Sequence, residues 1–451
     1  MIGLSPEEND SRHEVTHMFE KRRAIINWLA LVLALTASLG LIAGSLPSSV
    51  RAGQASPGKP FIGINVPLSG PYAALGKDQV KAYKLAIGRL NEQGGVLGRQ
   101  LDFEVKDTES DPRLAEKNAQ EFIDKRGAVM LTGGSSSAVA IAQSDVCQEN
   151  GVVFMAALTH SAATTGFERR QGDYGEQKAH RHTFRWYFNA WMTQEALAPF
   201  LIQELGSGKN YYYITADYTW GHSLEHAIQY ATESAGCNTL GSVRTELGQQ
   251  SFAREVRQAK EASPDILVLV LFGEDMIKAM QQFHAMGLEK EMHAIVPLIE
   301  LNMAHTLGPD ILQGVVATTN WYWGLQDTYQ GSKEFVELYR SRYGKPPGSS
   351  AACAWVAVNQ WAAAVERCGS FESSRVIKEL EDHSFELLKD QETWRSWDHQ
   401  AVSSVLIVKG KSKGTMVGEW DLLEIVDRVE GSEVVRTRNE NPVMLEFLDT
   451  E

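Results

Sequence analysis

Between Phe61 and Pro297 the chain alternates short apolar runs with longer stretches of helical spacing, and this rhythm restricts its fold more than any other property. Phe61 to Pro67, Leu101 to Val105, Ala128 to Leu131 and Val152 to Met155 read as buried strands. Tyr211 to Thr215, Ile266 to Phe272 and His293 to Pro297 read the same way further on. From Lys77 to about Asn91, Val80, Tyr83, Leu85, Ala86 and Leu90 recur near the helical period, and Gly94-Gly95 stops that helix. Asp111-Pro112 opens a second helix to about Asp124, and Ser135 to Asn150 reads as a third. Strands and helices in strict alternation imply βαβ units and parallel sheets. Such sheets carry their ligand sites on loops at the carboxyl ends of the strands.

The alternation comes in two runs, roughly 60–188 and 189–320, with an irregular polar segment from Arg169 to His182 near the end of the first. After them, Ser332 to Tyr343 and Ala351 to Cys368 read as helices, and Val402 to Val408 and Trp420 to Val426 as late strands. A hydrophobic content of 43% supplies sizeable cores and excludes a largely disordered chain. A formal net charge of −14 without a long basic patch excludes the electrostatic footprint of a nucleic-acid partner.

Lys21, Arg22 and Arg23 precede an apolar run from Ala24 to Leu46, and Val50-Arg51-Ala52 follows. Basic, apolar and small-x-Ala segments in that order read as a secretory signal over 1–52, with a linker over 53–59. An uncleaved membrane anchor is the alternative, because the run is long enough to supply the ~20 residues a spanning helix needs. Cys147, Cys237, Cys353 and Cys368 are widely spaced, without a CxxC pair, so neither a zinc site nor a disulfide framework is expected.

Several residues suit a small-molecule site. Ser135-Ser136-Ser137 follows a strand at a helix N-terminus, where free backbone N–H groups, the helix dipole and a hydroxyl suit a carboxylate. N-capping is the plainer role for the same serines and is compatible with the first. Thr159 and His160 share the next strand-end loop, while Tyr72, Trp220 and Phe272 sit on loops where aromatic rings give contact area at a cleft mouth. His222-Ser-Leu-Glu-His226 matches an inverted zinc-peptidase pattern but lacks an evident third ligand. Gly133-Gly-Ser-Ser-Ser137 is neither a nucleophile elbow nor a P-loop. No cofactor or metal is therefore expected.

Ile62-Gly-Ile-Asn-Val-Pro-Leu-Ser-Gly-Pro-Tyr72, Gly76 and Leu90-Asn-Glu-Gln-Gly-Gly-Val-Leu-Gly98 together resemble the opening of the leucine/isoleucine/valine-binding family of periplasmic proteins. The resemblance continues through Val105-Lys-Asp-Thr-Glu-Ser-Asp-Pro112, Leu131-Thr-Gly-Gly-Ser-Ser-Ser137, Asp217-Tyr-Thr-Trp-Gly221 and Trp394-Arg-Ser-Trp-Asp-His-Gln400. It implies a type I periplasmic-binding-protein fold: α/β, two doubly wound parallel-sheet lobes joined by three crossings, with ligand held between them. Crossings near Phe188, Trp321 and Leu388 would join 60–188 to 322–388 as lobe I and 189–321 to 389–451 as lobe II.

The resemblance also implies roles. Ser135, with Ser136, would bind a ligand carboxylate; Leu158 would offer a backbone carbonyl and Thr159 a hydroxyl, with His160 competing for the latter position. Trp220 and Phe272 stand where the family has tyrosines, and Tyr72 lies in the first loop. Two positions depart from the family: Leu75 replaces a tyrosine, and Leu298 falls where an acidic residue would pair with an α-ammonium. Only a two-residue shift puts Glu300 there; Glu274 and Asp275 are further candidates. An organic acid or amide without the amine fits Leu298 better than an amino acid, since a buried unpaired ammonium is costly. The expected function is that of a monomeric solute-binding component of an ABC importer. It would work in the periplasm, capture a small carboxylate- or amide-bearing, amino acid-like solute between its lobes, deliver it to a permease in the inner membrane, and catalyse nothing. A sensing module reporting to a signalling partner is the alternative.

Overall fold

The computed structural model describes residues 58–166 and 178–446, so the expected signal segment and most of its linker lie outside the described residues. In the first half the chain forms β1 (Phe61–Val66), β2 (Asp102–Asp107), β3 (Ala128–Gly134) and β4 (Val153–Ala157), followed by the short β5 (Lys178–His180) and β6 (Thr183–Arg185). One sheet has the order β2-β1-β3-β4-β6 and is parallel throughout. β1 and β4 are buried at every position, as apolar strands covered on both faces must be.

Helices α1 (Ala73–Glu92), α2 (Pro112–Arg126) and α3 (Ser137–Asn150) connect the first four strands. α1 begins four residues before Lys77, because the turn at Ser69 to Tyr72 leads directly into it. Its buried face includes Leu75, Gln79, Ala82, Tyr83, Ala86 and Ile87, the spacing of one helical stripe. Asp111 caps α2 by accepting from the Arg113 N–H, with Pro112 at the first helical position.

The second half contributes α4 (Ala190–Leu205), β7 (Asn210–Ala216), α5 (Thr219–Ser234), β8 (Asn238–Thr245), α6 (Ala253–Ala262), β9 (Ile266–Val270), α7 (Glu274–Ala285), β10 (His293–Val296), α8 (Leu301–Leu312) and β11 (Val316–Thr319). Then come α9 (Gln330–Tyr343), α10 (Ser349–Cys368) and α11 (Ser373–Leu380). α10 packs along α1 of the first half, and α11 packs on α10. β12 (Ser384–Phe385), β13 (Glu392–Trp394) and β14 (Ala401–Val402) make a small antiparallel sheet. β15 (Val405–Gly410) and β16 (Leu423–Val429) then complete the second large sheet, in the order β16-β15-β11-β10-β9-β7-β8.

That sheet is mixed, adding two antiparallel edge strands to the parallel core expected of the lobe. β15 runs antiparallel to β11, and β16 antiparallel to β15. Antiparallel neighbours need no crossover helix, so a returning chain can add them directly. Both late strands also start three residues after their expected positions. Val402 belongs to β14 instead, and the Trp420 ring stacks on His305 at 3.8 Å. Within the polar segment from Arg169 to His182, residues 178–180 form β5, which pairs with β17 (Met444–Glu446). His180 sits there between Asp145 and Glu446, 2.7 and 2.9 Å away. Among the described residues no helix is long and apolar enough to cross a membrane.

Candidate functional site

The strand order reverses beside β1 in the first sheet and beside β7 in the second, and the carboxyl ends at these switch points face one small cavity. The cavity measures about 10 Å³ and is lined by Ser135, Ser137, Leu158, His160 and Tyr187 from the first half. Tyr218, Trp220, Phe272 and Leu298 line it from the second. The two walls touch. The Tyr72 and Tyr218 hydroxyls lie 2.7 Å apart, and the Trp220 indole donates to His160 Nδ1 at 3.0 Å. Gly273, at φ +62°, brings its backbone so close to Pro71 that a Cβ there would stand 2.8 Å from the Pro71 carbonyl oxygen.

Ser135 and Leu158 follow neighbouring parallel strands, and both hold left-handed backbones, φ 67° and 53°. Such conformations are uncommon for residues with side chains and cluster where a site fixes the chain. The Ser135 N–H donates to Ala157 O at 3.2 Å, and its hydroxyl to Gln79 Oε1 at 3.1 Å. α3 begins two residues later. Its N-cap is Ser136, whose side chain makes no capping bond. Ser137 Oγ accepts from the Ser161 N–H at 3.1 Å.

The expected site residues therefore separate. Ser135, Leu158, Trp220 and Phe272 line the cavity together. Ser136 stands beside it as the α3 N-cap. Tyr72 lies behind the aromatic wall, its ring 5.7 Å from Phe272. The Thr159 hydroxyl bonds Thr164 and Ser137, while His160, the other residue weighed for that place, lines the cavity. Tyr187 and Tyr218 were not singled out by the sequence. Tyr218 sits within the Asp217-Tyr-Thr-Trp-Gly221 motif, and a scan of every aromatic on the strand-end loops would have found it.

His160 is a neutral ring. It accepts the Trp220 proton at Nδ1, so Nε2 carries hydrogen toward Thr193 Oγ1, 2.8 Å away. Burial, aided by the nearby Arg185 guanidinium, holds its pKa well below the ordinary histidine value. Arg185 is itself buried, donating to Gln400 Oε1 at 2.6 Å and Thr165 Oγ1 at 2.8 Å. Gln400 also donates to Tyr187 O at 3.1 Å, and His399 stacks on Phe184 at 3.8 Å. The Trp394 to Gln400 motif thus anchors the backbone between β6 and α4 and does not line the cavity.

Leu298 lines the cavity, whereas Glu300 is committed elsewhere. Glu300 Oε2 accepts from the Ser350 N–H at 2.9 Å in the first turn of α10, and Tyr187 donates to Oε1 at 3.4 Å. Asp78 occupies the same helix end, accepting from Gly348 N–H at 3.2 Å and Tyr339 OH at 2.6 Å, with Lys345 Nζ at 2.9 Å. Burial, reinforced by the Asp78 charge, raises the Glu300 carboxyl to about 8. Asp275 receives the Gly248 N–H at 2.8 Å. The zinc-like spacing also has other uses: Glu225 pairs with Arg244 at 2.5 Å, and His222 with Asp217 at 2.8 Å.

Solved structures share this fold. A periplasmic binding protein from Burkholderia mallei superposes with a TM-score of 0.77, covering 85% of this chain and 97% of its own at 24% identity. A structure described as an amino acid ABC transporter substrate-binding protein from Pseudomonas fluorescens gives 0.74, 83% and 96% at 26% identity. The chain is also similar to a Leu/Ile/Val-binding protein homolog of Brucella suis, 23% identical over 68% of this chain and 75% of that one. The model of the family described as periplasmic binding protein matches residues 60–415. The chain belongs to the periplasmic binding proteins, a family that holds its ligands and performs no chemistry on them.

Proposed function

We propose that the protein is the extracytoplasmic solute-binding component of an ABC importer and that its solute is a small carboxylic acid without an α-ammonium group. The observation that carries the choice of solute is the cavity lining. It joins serines at a helix N-terminus to aromatic rings and Leu298, and among the described residues it includes no carboxylate. Dipole and backbone N–H groups favour an anion at one end, and the rings favour an apolar body at the other. Glu300, the carboxylate nearest in sequence to Leu298, already serves the α10 N-terminus. Residues 60–188 with 322–388 would act as one lobe and 189–321 with 389–451 as the other, parting about the crossings to admit a solute larger than the present cavity and closing on it. The site residues in this reading are Ser135, Ser136, Leu158, His160, Trp220 and Phe272. The partner would be a permease complex in the inner membrane, served by a monomer.

A ligand that binds only the folded state raises its melting temperature. Benzoate, 4-hydroxybenzoate and short aliphatic acids are expected to stabilise the protein in a thermal-shift screen, while leucine and isoleucine leave it unchanged. Stabilisation by the amino acids alone would refute the choice of solute. Export is checked separately. Protein taken from the cell envelope is expected to begin near Gly53, and recovery of an intact Met1 or Met18 terminus would instead support the anchor.

A further inference from the structure

Gln79 is wholly buried on the face of α1 that packs against the first sheet, among Ala82, Tyr83 and Ala86. An apolar side chain would ordinarily fill such a place. One turn further along, the Tyr83 hydroxyl bonds Thr132 Oγ1 at 2.8 Å, and Thr132 donates to Met155 O at 2.7 Å, so that pair is satisfied. Gln79 is not. Its carboxamide oxygen takes the proton of Ser135 at 3.1 Å, and its Nε2 is buried without a partner. In this arrangement the Ser135 hydroxyl, at the edge of the cavity, has only lone pairs left to offer.

A carboxamide has a second orientation of nearly the same shape. Turned half a revolution, Nε2 donates to Ser135 Oγ, and the Ser135 proton is released toward the cavity. The orphaned atom then becomes a carbonyl oxygen, which tolerates burial better than an unpaired N–H. We propose that Gln79 is a positioning residue that sets the sense of the Ser135 hydroxyl: turned one way it receives the serine proton, turned the other it makes Ser135 a donor to a ligand carboxylate. The proposal rests on the reading of the cavity as an acid site. It adds that discrimination between an acid and its amide is controlled from a residue behind Ser135.

Gln79→Glu removes the second state once the introduced carboxyl is ionised, because a carboxylate only accepts. Burial raises such a group as it raises Glu300, so binding is read at pH 9 and again at pH 6. Titration calorimetry with benzoate and benzamide reads the outcome. Wild type is expected to prefer benzoate. The variant should bind benzoate about tenfold or more weakly at pH 9 while benzamide changes less than about threefold, consistent with loss of one charge-assisted hydrogen bond. Benzoate binding should recover on acidification, as the introduced carboxyl gains a proton it can donate. Equal losses for both probes, or undiminished benzoate binding, would overturn the proposal.

A ligand-free measurement separates this failure from failure of the acid-site reading. In protein carrying isotope-labelled glutamine, the Gln79 side-chain NH2 signal is assigned by its absence from Gln79→Met. It is expected to show a proton protected from exchange that loses protection in Ser135→Ala. If wild type binds neither probe, the acid-site reading fails, and this signal alone decides Gln79: a response supports it, and none refutes it.

Discussion

Glu300→Gln is expected to raise folding stability at pH 8.5 and to leave it nearly unchanged at pH 5. The Glu300 carboxyl titrates at about 8 in the folded protein, against an ordinary 4.5, because burial opposes its charge and Asp78 repels it. Below 4.5 it is protonated in both folded and unfolded chains and has no effect. Between 4.5 and 8 the folded protein keeps a proton that the unfolded chain has released, so stability falls as pH rises, and the loss is complete above 8. A displacement of that size corresponds to roughly 4–5 kcal/mol. Gln stays neutral throughout. Its oxygen can accept from Ser350 N–H while its NH2 donates to the Tyr187 hydroxyl. Asp275 and Glu392, also raised by burial, give both proteins a residual slope of the same sign. The measured quantity is the difference between the two melting curves, expected to open by about 5 °C or more across this range. Parallel curves would mean that Glu300 is ionised in the folded state at neutral pH.

Trp220→Ala should have the largest effect on binding. Trp220 is 3% exposed, lies 6.0 Å from the Phe272 ring and 5.9 Å from Tyr218, and donates its only proton across the cavity to His160. Truncating a buried tryptophan costs about 3–5 kcal/mol. Here part of that loss falls on the contact between the walls. Affinity for any stabilising acid is expected to fall about a hundredfold or more, equivalent to about 2.7 kcal/mol. A pH signature should accompany it. A histidine depressed in the folded state gives stability that is present above its unfolded value of 6.5 and lost as pH falls below it. Without Trp220, water reaches Nδ1, the His160 pKa returns toward the ordinary value, and acid sensitivity should diminish. Trp220→Phe keeps the ring but not the proton, so an affinity loss at least half as large on the logarithmic scale would assign the effect to the His160 hydrogen bond. Unchanged affinity in the alanine variant would remove Trp220 from the site.

The sequence made legible what depends on neighbours along the chain. Alternating periods reveal parallel βαβ units, and those place the strand-end loops. The loops that carry Ser135, Trp220 and Phe272 could therefore be placed in advance, whereas Leu158 came from the family resemblance; all four line the cavity. Partners distant in the chain were hidden. Nothing near His160 signals that its acceptor nitrogen meets an indole 60 residues away. Nothing near Glu300 shows that the amide it serves belongs to Ser350, at the start of a helix packed on the other half. The antiparallel β15 and β16 escaped for the same reason: an apolar run records that it will be buried, not the direction of its neighbour. Thr159 and His160 shared one loop, and only the fold could decide which met the cavity.

The pairing of β11 with β15 bears on the order in which the protein takes shape. Thr319 faces Leu406 across that ladder, and Lys389, wholly buried nearby, donates to Asn320 O at 2.9 Å and Ser404 O at 2.7 Å. The strand that covers β11 is thus made only after α9, α10 and α11, which belong against the first half. A growing chain cannot finish its second sheet until nearly all of it has been synthesised, and contacts of such long range form slowly. Delay of this kind would suit a polypeptide threaded through a membrane before it folds, as the proposed export requires: an unfinished second sheet would leave the chain without its final fold until the last strands arrive.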